Sequence, residues 1–261
     1  MPQSLTSSQS TADGRPSAPV SPAAPPKRRR LSRYGQLTAD YLRTVGAVLW
    51  KDLAAELRTK ELLSSMLVFS LLVVIVFNFA LELDRQARSN VVAGVLWVTF
   101  MFAGTLGLNR SLSMEKDRGS LDGLLLAPVD RSALYFGKAL GNLLFMIVVE
   151  IIVLPTLSLL FNLPLLQPLQ LLVVVLGTLG YAAVGTLLAS MAIHTRARDV
   201  LLPILLFPVA VPVLVAAVRA SGGLLARAPW DEIAPWLNLL VAYDVIFVAV
   251  AFMVFEYVVE E

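Results

Sequence analysis

Six stretches of the chain run apolar for about a helix-span each, separated by short polar segments: 62–81, 91–108, 134–161, 169–193, 200–218 and 233–255. About 20 residues of helix, rising 1.5 Å per residue, cross a hydrocarbon layer of roughly 30 Å, so every stretch is long enough to span a bilayer. The runs are continuously apolar and lack the two-residue alternation of barrel strands, which excludes a transmembrane β-barrel. The pattern predicts an all-α integral membrane protein with six transmembrane helices.

Ahead of the first run the pattern changes. Between 36 and 60, Tyr41, Leu42, Val45, Val48, Leu49, Leu53 and Leu57 recur at helical spacing, with Arg43, Lys51, Asp52, Glu56 and Arg58 interleaved. Charge interrupts this stripe too often for a span. It predicts an amphipathic helix lying in the membrane interface with Trp50 at headgroup depth, though the same pattern suits a helix packed on a soluble partner. Residues 1–35 are rich in Ser, Thr, Pro, Ala and Gln and contain no apolar run, so they are expected to be disordered. The basic cluster Lys27, Arg28, Arg29 and Arg30 suits anionic headgroups. No apolar segment follows that cluster as a cleaved signal peptide would require; the Ser and Arg content leaves an organellar transit peptide open.

Composition sharpens this picture. Of the 261 residues, 57% are hydrophobic and 15% charged, against roughly 45–50% and 25% in a soluble domain, so the chain cannot cover a water-facing surface. The absence of cysteine removes disulfides, thiolate zinc sites, iron–sulfur ligation and covalent haem attachment. Charge sets the orientation. With the N-terminus inside, the inner flanks carry Arg43, Lys51, Arg58, Lys60, Arg110, Lys116, Arg118, Arg131, Arg196 and Arg198, ten in all. The outer loops carry four, Arg85, Arg88, Arg219 and Arg227. The positive-inside rule therefore puts both termini in the cytoplasm, and the outer links are too short for an external binding domain.

Little catalytic chemistry remains. The Gly137-Lys138 pair is followed by Ala139, and no phosphate-binding G-x-x-x-x-G-K-[ST] occurs, so the chain is not expected to hydrolyse ATP alone. One histidine and no cysteine leave no hydrolytic triad and no metal centre. The inner segment 109–133 is the informative one. Ser113 could cap a short helix whose first turn holds Glu115 and Asp117, with Leu121, Leu124 and Leu125 as a ridge and Pro128 as a stop. Such a helix would dock a soluble partner, unless the loop only satisfies the orientation rule. Within the spans stand Asn78, Glu150 and Asp244, with Lys138 near an end where it could snorkel. A carboxyl at midspan costs about 2.5–3.5 kcal/mol on insertion scales, so Glu150 and Asp244 should face protein or water, as part of a substrate or proton path or as hydrogen-bonded packing. His194 ends the fourth span beside Arg196 and Arg198, where an interfacial histidine is favoured over a haem ligand. The methionines in spans suit core packing, and Trp230 and Trp236 suit an interface belt.

The string Glu115, Arg118, Gly119-Ser120-Leu121, Leu124-Leu125 and Ala127-Pro128, followed by Tyr135, Gly137 and Lys138, resembles the inner loop of ABC-2-type export permeases. The fifth span, RARDVLLPILLFPVAVPVLVAAVRA with Pro203, Pro208 and Pro212, looks like the haem exporter protein B family, the CcmB permeases of cytochrome c maturation. The earlier WKDLAAELRTKE is similar to that family's first helix. The resemblance covers about 45–225; its loop motif is shared by many permeases and its proline-rich span is the more specific part.

The resemblance implies a non-catalytic permease subunit of an ABC complex for haem export and c-type cytochrome biogenesis in a bacterial cytoplasmic (inner) membrane. Its implied partners are a cytosolic CcmA-like ATPase that binds the ATP, a haem-handling CcmC-like membrane protein, a second permease copy and the lipid bilayer, with no nucleic acid. No cofactor is expected on this subunit alone. It carries over Glu115, Arg118, Gly119, Leu121 and Pro128 as residues coupling to the ATPase, and Pro203, Pro208 and Pro212 as a broken helix that hinges or lines a pathway. A generic exporter permease for lipid, drug or polysaccharide, or a scaffold that moves nothing, are the alternatives. The orientation is directly testable, since a cysteine placed singly in this cysteine-free chain is the only thiol. Cysteines at Arg88 and Arg227 should react with an impermeant thiol reagent from outside and one at Lys116 should not; the opposite labelling would invert the topology.

Overall fold

The computed structural model describes residues 28–81, 85–117, 131–192 and 198–258, with side chains for 40–81, 89–111, 132–192 and 200–254. Seven helices occupy them: α1 Arg28–Thr59, α2 Glu61–Ala80, α3 Arg85–Asp117, α4 Arg131–Phe161, α5 Pro168–Ala192, α6 Arg198–Ala226 and α7 Trp230–Val258. Residues 39–261 form one compact unit, and the contacts described lie within it. Six helices are long and apolar enough to cross a membrane, over Glu61–Ala80, Ser89–Ser111, Ser132–Phe161, Pro168–Ala192, Val200–Ala226 and Trp230–Val254.

Left-handed residues and prolines set the breaks between helices. Lys60 (φ 55°) separates α1 from α2, Asn162 (φ 50°) follows α4, and Arg227 (φ 56°) follows α6. At the last of these, Ala228 N–H bonds Gly223 O at 2.9 Å and Arg227 N–H bonds Leu224 O at 3.2 Å, the paired closure that satisfies the final carbonyls of a helix. Pro168 opens α5, where its missing N–H costs nothing.

Within the bundle, α5 touches α3, α4, α6 and α7, and α3 touches α2, α4, α5 and α6. These approaches depend on glycine. A methyl group on Gly177 would lie 2.2 Å from the Trp97 ring, and one on Gly185 would lie 2.4 Å from Leu108. Polar ties cross the same seams. At one end Ser221 Oγ accepts Trp97 Nε1 and Gln170 Nε2, both at 2.9 Å, joining α3, α5 and α6. Asn142 Nδ2 donates to Thr186 Oγ1 at 3.0 Å, and Asn78 Nδ2 donates to Leu160 O at 3.3 Å.

Four sequence expectations change. The fifth span continues past Val218 to Ala226, because Ser221 is buried between helices and Gly222 lets α6 approach Asn90, so the Ser-Gly-Gly run is a packing surface and not a loop. Ser113, Glu115 and Asp117 do not begin a separate helix: the stretch from Asn109 has no Gly or Pro, and α3 runs through to Asp117. Lys138 does not snorkel. Its Nζ lies 3.0 Å from Asp52 Oδ2 of α1, with the two side chains only 13% and 12% exposed. Helix α1 also starts at Arg28, upstream of residue 36.

The α1–α4 joint follows from small residues. Gly137 and Gly141 are one turn apart on α4, and a methyl on Gly137 would lie 2.7 Å from Val48 Cβ, so α1 approaches to backbone distance. Val45 and Val48 are buried there, and Ser132 Oγ donates to Tyr41 Oη at 3.2 Å. Removing Lys138 leaves Asp52 with only the longer contact to the half-exposed Lys51 at 3.5 Å, a loss of about 1.5–3 kcal/mol. Lys138→Met is therefore expected to lower the thermal unfolding midpoint of the purified protein strongly, and Asp52→Asn with Lys138→Met to recover most of the loss; equal midpoints for the single variant and the parent would refute the pairing.

Candidate functional site

Two regions carry the residues that sequence singled out. The first is the end of the bundle where α1, the start of α2, the end of α3 and the start of α4 meet. Glu56, buried on α1, accepts the Leu63 N–H at 2.9 Å and so satisfies one of the orphan donors at the start of α2. Arg110 of α3 pairs with Glu61 of α2. With Asp52–Lys138 added, four helices are tied together on one face by charge. Between α3 and α4 the chain passes through 118–130; Arg118, Gly119, Leu121 and Pro128 lie outside the described residues, and Glu115 lies in the last turns of α3 with its side chain outside them. The two helices that bracket this segment are thus the ones locked to α1 and α2. On α1 the face away from α4 keeps Leu42 and Trp50 exposed, both at 68%.

The second region is the middle of the bundle. Glu150 of α4 is buried and accepts the Thr178 hydroxyl of α5 at 2.5 Å. Beside it is a cavity of about 10 Å³, lined by Trp97, Phe100, Met146, Thr178, Tyr181 and Leu214 among others, room for about one water molecule. Tyr181 closes its far wall, its hydroxyl donating to Met101 O at 2.9 Å and lying 2.6 Å from Thr105 Oγ1. Asp244 of α7 is also buried, and neither carboxyl oxygen has a hydrogen-bond partner among the described residues. It packs on Gly180, where a methyl would lie 2.3 Å from Oδ1. Thr178 and Gly180 are two residues, about 200°, apart on α5. The two carboxyl groups therefore flank opposite sides of α5 at one level.

Pro203, Pro208 and Pro212 all lie inside α6, which continues through them from Arg198 to Ala226 without a break. Pro208 and Pro212 are exposed and Pro203 half-buried, so they do not line the packed interior of the bundle. His194 lies outside the described residues. No group of three or more potential metal ligands occurs among the described residues. Sequence reasoning missed the Asp52–Lys138 pair and the Thr178, Thr105 and Tyr181 hydroxyls. The Gly137-x-x-x-Gly141 spacing was the one signal of a close helix contact at the first of these; the hydroxyls had none, because Ser and Thr in a span pack or bond with equal ease.

Glu150→Gln keeps an acceptor facing Thr178 and should leave thermal stability and complex assembly nearly unchanged. Glu150→Ala loses the bond and enlarges the cavity, at about 2–4 kcal/mol. If Glu150→Gln folds normally yet abolishes the activity of the protein, the carboxyl acts in proton or substrate passage and packing is not its role.

Residues 43–260 match the family described as CcmB protein. The chain is 29% identical over 188 residues to heme exporter protein B of Rhodobacter capsulatus, covering 70% of this chain and 86% of that protein. It is 27% identical over 181 residues to heme exporter protein B of Pseudomonas aeruginosa, covering 69% and 81%. The same description applies to a protein of Bradyrhizobium diazoefficiens, 27% identical over 178 residues and covering 68% and 80%.

Proposed function

The chain belongs to the CcmB family, and on that premise we propose that it is the permease subunit of an ABC transporter for haem export in c-type cytochrome biogenesis, driven by a separate ATPase. The observation that carries this reading is the family match itself, which runs through all six spans, from residue 43 to 260. The chain contains no phosphate-binding motif, so the energy for any movement comes from a cytosolic CcmA-like partner that binds ATP.

The charged end of the bundle supplies the coupling route. A partner pressing on 118–130 displaces the end of α3 and the start of α4. Lys138 on α4 grips Asp52, so α1 moves with α4, and Glu61 on α2 follows Arg110 on α3. A push on one short segment therefore reaches four helices without any new contact. Glu115, Arg118, Gly119, Leu121 and Pro128 are the residues through which we propose the ATPase acts. This end is cytoplasmic by the excess of Lys and Arg in its flanks, with both termini inside the bacterial cytoplasmic membrane. A second permease copy matches the paired nucleotide sites of an ABC ATPase, and a CcmC-like membrane protein handles the haem. Haem is held by the complex and not by this subunit alone, whose sole histidine, His194, sits beside the cytoplasmic arginines Arg196 and Arg198.

Arg118→Ala combined with Leu121→Ala should reduce co-purification of the ATPase, or lower haem-dependent cytochrome c maturation while ATP hydrolysis continues, with membrane insertion unaffected. Normal binding and normal maturation in that double variant would remove the segment from the coupling route.

A further inference from the structure

Folding sorts the charges of α1 in a way that its sequence does not show. Between 40 and 60 the chain carries Arg43, Lys51, Arg58 and Lys60 against Asp40, Asp52 and Glu56, a near balance. Two of the three acids turn inward: Asp52 meets Lys138 of α4 at 3.0 Å, and the buried Glu56 accepts the Leu63 N–H at 2.9 Å. Asp40 stays outside beside Arg43, at 3.4 Å. Arg58 and Lys60 are exposed, and neither has an acidic partner among the described residues. Upstream, Lys27, Arg28, Arg29, Arg30 and Arg33 precede Asp40 with no acid between them and it.

The apolar residues are sorted too. Val45 and Val48 are buried on the side that carries Asp52 and Glu56, against Gly137 of α4. Leu42, Trp50 and Leu57 fall within about 80° of one another on the other side, where they are 68%, 68% and 59% exposed. Arg43 and Arg58 border that stripe. Its depth follows from the neighbours of α1. Lys60 alone separates α1 from the first span, which opens at Glu61, so α1 ends at the membrane surface. The span of α4 has 30 residues from Ser132, about 45 Å against a hydrocarbon layer of roughly 30 Å, which leaves the turns holding Gly137, Lys138 and Gly141 at headgroup depth. The helix packed on those turns lies at that depth as well.

An apolar stripe with an indole at headgroup depth and cations along its border matches a lipid leaflet, and cations left without acids select the kind of leaflet. A soluble protein would have to displace headgroups to reach Leu57, one turn from the start of the first span. We propose that the outward face of α1 binds anionic phospholipid, with Arg58, Lys60 and the upstream basic cluster drawing negatively charged headgroups into the layer beside this helix. The bound lipid has a mechanical consequence, which rests on the coupling reading above. Headgroups that hold α1 also hold Asp52, and through it Lys138 and the start of α4 behind the segment 118–130. Anionic lipid therefore steadies the part that an ATPase pushes against, and its removal lowers the ATP hydrolysis of the assembled complex.

The chain has no native cysteine, so a bimane dye on Ala54→Cys, exposed one turn from Trp50, reports on α1, and a dye on Val76→Cys, exposed on α2, is the control. The full chain is placed in phosphatidylcholine discs that contain an equal small share of doxyl-labelled phosphatidylglycerol or of doxyl-labelled phosphatidylcholine, and contact quenching reads the lipid beside each dye. A basic residue at an anionic surface favours binding by roughly fivefold. At Ala54→Cys the labelled phosphatidylglycerol should therefore quench about fivefold more strongly than the labelled phosphatidylcholine, with no difference at Val76→Cys. Arg58→Gln with Lys60→Asn should remove most of that preference; asparagine tolerates the φ of 55° at position 60, so the turn is kept. Equal quenching by the two lipids at Ala54→Cys would overturn the proposal. A preference undiminished by the double substitution would overturn it too, as would quenching by neither lipid, which marks a face covered by protein. Hydrolysis by the assembled complex is read separately, in discs with and without phosphatidylglycerol. A lipid preference at α1 with no change in hydrolysis would bring down the coupling reading and leave the lipid site standing.

Discussion

Hydrocarbon offers no hydrogen-bond partner to a peptide group, so each backbone N–H and C=O within the bilayer must be satisfied by the chain itself. The six long helices answer that requirement, and the remaining architecture consists of managing its exceptions. Turns are confined to the ends, where Asn162 and Arg227 take up left-handed geometry and close the last carbonyls before the chain returns. Where helices begin, buried side chains supply what the backbone lacks, as Glu56 does for Leu63. Prolines are placed where an N–H is redundant, as at Pro168, or stand inside helices that continue through them, as in α4 and α6.

Once the backbone is satisfied, apolar burial no longer separates one helix arrangement from another, since lipid is as apolar as leucine. Close fit and a few polar ties have to choose. Helix α5 does this with glycines set against Trp97, Asp244 and Leu108, and with hydroxyls that bond across to α4 and α3. Glu150 and Asp244 sit on opposite flanks of that helix, so a shift of α5 along its axis would disturb both environments together. Polar groups that are costly in lipid thus fix which helix lies beside which.

At the charged end the currency changes from fit to ion pairs. Asp52–Lys138 and Glu61–Arg110 tie α1 to α4 and α2 to α3, on either side of the segment 118–130 through which we propose that an ATPase acts. The pairing makes α1 a working part of the bundle. Its outer face keeps Leu42 and Trp50 free, consistent with the interfacial position that their spacing predicts.

The sequence by itself determined the class of fold and the six spans to within a few residues at most ends, because spanning length and continuous apolarity are local properties that every residue reports; the family came from the resemblance of particular strings, the proline-rich fifth span above all. It also singled out Glu150, Asp244 and the three prolines by their cost in lipid. The tertiary structure decided their meaning. Whether Lys138 reaches water or Asp52 depends on a partner 86 positions earlier in the chain. Whether Ser221-Gly222-Gly223 is a loop or a packing surface depends on Trp97 and Asn90. Whether the prolines face the interior or the outside depends on how α6 is rotated against α3, α5 and α7. Helical periodicity fixes which residues share a face, but in a span apolar on all sides only packing against neighbours fixes which way that face turns.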